Sequence, residues 1–103
     1  MRLIELHADK WCTPLDFYEA LLIALGAPEG HGRNINALID SMVYGGICAM
    51  DPPYTLRITG TAKLPNDIKN EIDATVASIR EAQGADGGVE FQIEPWKPYL
   101  RSI

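Results

Sequence analysis

The chain has two cysteines in 103 residues, too few for a disulfide framework. Cys12 and Cys48 are therefore expected to be small, buried side chains in a reducing compartment. Histidine is as scarce, with His7 and His31 only. A zinc set drawn from His7, Cys12, His31 and Cys48 would lack any close ligand pair of the C-x₂-C or H-x₃-H kind, so no metal and no cofactor is expected. No apolar run approaches the ~20 residues that a membrane-spanning helix requires. The first ten residues, MRLIELHADK, alternate and carry acids where a signal peptide would be continuously apolar. Repeats, low-complexity tracts and linkers are missing as well. These absences leave one soluble domain, expected to be cytoplasmic.

Positive charge is the other shortage: nine Lys and Arg face 14 Asp and Glu, for a net charge of −5. The imbalance is local. Asp67, Glu71, Asp73, Glu81, Asp86, Glu90 and Glu94 meet only Lys69 and Arg80, while the rest of the chain balances. Such a segment repels nucleic-acid phosphates and attracts basic partners, and any one of its acids also serves solubility.

Hydrophobic period places the elements. RLIELH (2 to 7), YTLRIT (54 to 59) and VEFQI (89 to 93) alternate as strands. Thr13 and Asp16 form a capping-box-like start, with Pro14 at the first helical position, for a helix ending at Gly26. That helix is apolar almost all round, through Leu15, Phe17, Leu21, Leu22, Ile23 and Leu25, which predicts that it is largely buried. Asn34 is the expected N-cap of a second helix over 35 to 43, with Ile35, Leu38, Ile39 and Met42 on one face. Asn36 and Asp40 then point to solvent. Pro65 opens a third helix to about Gln83, carrying Ile68, Ile72, Val76 and Ile79 inward and Glu81 on the opposite side. Every strand-to-strand connection holds a helix. The pattern predicts an α/β fold with a small three-stranded parallel sheet packed against three to four helices, in a domain over 1 to 94 followed by a Pro-broken tail over 95 to 103.

The stretch PEGHGRNINALID (28 to 40) gathers polar groups around two glycines. Three chemistries fit it. His31, Arg33 and Asp40 have the types of a base, a cation and an orienting carboxylate. Gly30 and Gly32 could free backbone N–H groups for an anion, although GHGRN has neither phosphate-loop spacing and follows a helix. A plainer account gives Gly32 a tight turn and Asn34 a cap. In the third reading Asp40, on the outward face of a helix, enters a cationic cleft in place of a phosphate.

The same stretch resembles the signature of the barstar family, the intracellular inhibitors of barnase-type ribonucleases. Pro28, Glu29, Gly32, Asn34, Ile35, Ala37, Leu38 and Asp40 match its pattern in register, and the flanking strands and helices agree in order and spacing over most of 2 to 94. The resemblance implies inhibition of a secreted or delivered ribonuclease toxin, with Asp40 standing in for a substrate phosphate and Glu81 adding a second acidic contact. The family's aromatic after Pro-Glu is Gly30 here, an aspartate of the second helix is Asn36, its tryptophan is Ile39, and a further acid is Ala85. These departures point to a cognate nuclease other than barnase. The candidate partner surface is Gly30, His31, Gly32, Arg33, Asn34, Asn36, Ile39, Asp40, Val43, Tyr44 and Glu81. The alternative is a small anion- or nucleotide-binding domain, or an enzyme, centred on His31 and Arg33.

Overall fold

A computed structural model describes residues 2–85 and 87–94; the tail over 95 to 103 lies outside them. The elements are β1 (Arg2–His7), α1 (Pro14–Leu25), α2 (Ile35–Ile39), a π-helical turn (Asp40–Tyr44), β2 (Tyr54–Thr59), α3 (Asn66–Gln83) and β3 (Val89–Ile93). The strands form one sheet in the order β1-β2-β3, parallel throughout, with Ile4 opposite Leu56 and Leu56 opposite Phe91.

The alternation in each strand makes the sheet one-sided. Ile4, Leu6, Tyr54, Leu56, Ile58, Val89 and Ile93 are buried on the face that the helices cover. Glu5, His7, Glu90 and Gln92 stand on the other face in solvent. There Arg57 of the central strand reaches Glu5 at 3.1 Å and Gln92 at 3.0 Å, tying both edge strands to the middle one. Parallel sheets buried on both faces read as unbroken apolar runs; these strands alternate, and one face is correspondingly open.

On the covered face, α3 buries Ile68, Ile72, Val76 and Ile79, as their spacing predicts. Arg80 lies over the Phe91 ring, 5.7 Å from its centroid, holding the end of α3 to β3. The start of α1 is the predicted capping box: Thr13 Oγ1 accepts from Asp16 N–H, and Asp16 Oδ2 accepts from the Cys12 and Thr13 N–H groups. Those two backbone donors hold the Asp16 carboxyl below the usual carboxylate range. The Tyr18 hydroxyl donates to Glu71 and joins α1 to α3, and burial followed by that carboxylate pushes the phenol up to about 12.

Three expectations need correction. The first helix is not buried all round: Leu15 is 49% and Ile23 is 81% exposed. It packs on β1 and α3, and these two side chains stand in solvent. Cys12 is exposed, because it sits in the turn before α1 with its N–H committed to Asp16, whereas Cys48 is buried as expected. The second helix is α-helical only to Ile39, and residues 40 to 44 widen into the π turn. Leu38, Ser41 and Met42 are buried, while Ile35 and Ile39 are only half-buried. The wider turn carries the Ser41 hydroxyl inward, where it meets His31.

Candidate functional site: the loop and short helix around Asp40

Asn34 sets the site's frame. Its backbone is extended at φ −153°, and its Oδ1 accepts the Ala37 N–H at 2.8 Å, starting α2 where the sequence predicts. Gly32, two residues earlier, is needed for space. A Cβ there would stand 2.9 Å from Asn34 Nδ2 and 3.1 Å from the Ala37 Cβ, and the residue does not use a positive φ. Gly30 does, at +85°, with open space where a Cβ would be.

Asp40 caps α2 and begins the π turn. Its N–H points to the carbonyls of Ala37 and Asn36, and its backbone is α-like at φ −58°, ψ −40°. The carboxylate is exposed and has no hydrogen-bond or ion-pair partner among the described residues. Asn36, one helical turn earlier, is likewise exposed and unpartnered there. Tyr44, the last residue of the π turn, is 74% exposed, while Ile39 before the turn and Val43 within it are half-buried. Glu81 is exposed on α3, which itself packs against α2 and the π turn. The side chains that α2 and the π turn leave exposed are therefore an amide, a carboxylate and a phenol, those of Asn36, Asp40 and Tyr44.

His31 and Arg33 are differently placed. His31 Nδ1 is 2.8 Å from the Gly32 carbonyl oxygen, and Nε2 is 2.5 Å from Ser41 Oγ. The carbonyl can only accept, so Nδ1 carries a proton; in the neutral ring Nε2 then accepts from the serine hydroxyl. Both nitrogens are consumed in clasping the loop to the π turn, and neither is offered to a substrate. Arg33 pairs with Glu19 of α1 at 3.0 Å, both half in solvent. The three residues suggested for catalysis thus do not converge: Asp40 faces outward, His31 faces Ser41, and Arg33 faces α1.

Sequence reasoning missed Ser41 and Glu19, the partners that fix His31 and Arg33. A serine beside an aspartate on a helix carries no local signal of burial, and Glu19 lies 14 positions from Arg33 in the chain. Behind the loop, between it and α1, an open cleft of about 570 Å³ is lined by residues including Glu19, Leu22, Ile23, Pro28, Glu29 and Arg33. As for metals, no group of three His, Cys, Asp or Glu side chains is placed to hold an ion among the described residues. His7 bonds Thr59 on the open sheet face, away from His31.

A one-sided parallel sheet, with a capped loop and a short helix whose Asn36 and Asp40 side chains have no partner among the described residues, defines a small α/β protein. A family model described as Barstar (barnase inhibitor) matches residues 1–95. The chain belongs to the barstar family, whose members are inhibitors of barnase-type ribonucleases. A search of curated proteins found no significant match.

Proposed function

We propose that this chain is a cytoplasmic immunity protein that blocks the active site of a barnase-type ribonuclease toxin, with Asp40 occupying the place of a substrate phosphate. The observation that carries the reading is the Asp40 carboxylate itself: exposed, without a partner among the described residues, and held at the junction of α2 and the π turn. A charge already neutralised within its own protein has little left to give a partner, whereas a free one on an ordered backbone loses little entropy on binding. A ribonuclease must hold a polyanion, so its cleft is cationic and complementary to this surface and to the chain's net charge of −5. Asn36, Ile39, Val43 and Tyr44 surround Asp40 in the proposed interface, and Glu81 lends acidic support from α3. His31, Gly32 and Asn34 shape the loop, with Gly30 and Arg33 at its outer rim.

RNA cleavage by a panel of barnase-type ribonucleases, barnase among them, tests the reading. At least one enzyme should be stopped by a single equivalent of the chain, and its association should slow as salt rises. Cleavage that continues in every case under excess chain contradicts it. The enzyme reading centred on His31 and Arg33 gains no support from their internal bonds to Ser41 and Glu19.

A further inference from the structure

The cleft behind the loop supports an inference that rests on the reading above, since it requires a ribonuclease partner. Its walls are apolar where α1 contributes Leu22 and Ile23 and the loop contributes Pro28. Ile23 is 81% exposed, more than any other large apolar side chain among the described residues, so covering it is favourable for any partner that reaches it. Three ionised side chains edge the cleft. Glu19 and Arg33 neutralise one another at 3.0 Å, while Glu29 is exposed and without a partner among the described residues. The cleft therefore offers one uncompensated carboxylate beside an aliphatic wall. Gly30 leaves the mouth unobstructed, with nothing within 4 Å of where its Cβ would be.

The side chains that match such a surface are lysine and arginine, which lay an aliphatic stem on apolar ground and keep a cation at the tip. An enzyme that grips RNA carries such residues around its cleft, where they hold the phosphates on either side of the scissile one. The cleft is also continuous with the proposed interface, because the loop that lines it runs directly through Asn34 into α2 and Asp40.

We infer that the cleft takes a lysine or arginine side chain of the ribonuclease, with its stem against Ile23 and Pro28 and its cation on Glu29. Glu29 then stands in for a flanking phosphate as Asp40 does for the central one. The contact area extends past the loop onto α1, and the cleft selects among ribonucleases by whether they carry a cation at that place.

Isothermal titration of Ile23→Ser, Glu29→Gln and Asp40→Ala against the panel ribonuclease that the unaltered chain inhibits provides the test. Ile23→Ser should weaken binding about tenfold, and Glu29→Gln about threefold at low salt with a smaller loss at high salt. Melting temperatures of both cleft variants should match the parent's, because both side chains stand in solvent. If Asp40→Ala weakens binding while both cleft variants bind like the parent, the inference fails and the proposed function survives. If no panel enzyme binds, both fail. A fall in the sedimentation coefficient of Ile23→Ser without ribonuclease would assign the cleft to a second copy of the chain and overturn the inference.

Discussion

Asp40→Ala is expected to weaken the complex with the inhibited ribonuclease by about 30-fold or more, the loss of 2 kcal/mol or more that marks a dominant interface residue. The family's matching aspartate is itself a known instance of such a residue, so this dominance is carried over from family membership rather than computed from the geometry here. The geometry supplies the mechanism. In the free chain the carboxylate is exposed and has no partner among the described residues. In the complex it would meet the cations that hold a phosphate, in a cleft that excludes water, where charge-assisted hydrogen bonds are strong. Removing it leaves those cations buried and unsatisfied, and that penalty adds to the lost attraction. The free chain should hardly notice: no described residue loses a bond to the side chain, so the change in folding stability should stay within ~0.5 kcal/mol. Calorimetric titration of the complex and urea unfolding of the free chain together check both halves. A variant that bound normally would remove Asp40 from its role even with the fold intact.

Leu38→Ala should do the reverse, costing about 2–5 kcal/mol of folding stability and weakening inhibition through the loss of α2. Leu38 is 0% exposed and is the buried residue of α2, a helix of five residues. A helix that short has no stability of its own in water; its packing and its cap hold it. Truncation leaves a cavity between α2 and α3, against which α2 packs. With α2 frayed, Asp40 and Asn36 lose their common orientation, and the ordering entropy must then be recovered on binding. Leu38→Met, close in volume, should cost less than about 1.5 kcal/mol and leave inhibition near normal. Urea unfolding read beside the inhibition assay separates the two variants. Equal stability for alanine and leucine at this position would show that α2 is held by something other than Leu38.

The two positions also show what the sequence discloses. Asp40 could be assigned to solvent and Leu38 to the core because a 3.6-residue period fixes relative directions within one helix. The strands and α3 were readable for the same reason, and Thr13, Asp16 and Asn34 were readable because capping is local chemistry. What depends on how elements lie against each other was not. The apolar circumference of α1 did not disclose that Leu15 and Ile23 face away from the sheet. The π turn adds a residue that hydrophobic period does not encode, so the meeting of Ser41 with His31 was invisible. Arg33 looked like a free cation until the fold set it beside Glu19. Directions within α2 and the local Asn34 cap were thus readable, and the loop's contacts with Ser41 and Glu19 were not.

Competition at the active site tests the central claim most directly. A nucleotide 3′-monophosphate is bound to the inhibited ribonuclease, its phosphorus resonance is followed, and the chain is added to one equivalent. If Asp40 takes the place of the phosphate, the nucleotide is released in step with the chain added, and Asp40→Ala releases it only at far higher concentration. A ternary complex, with the nucleotide still bound while the chain holds the enzyme, would contradict the account.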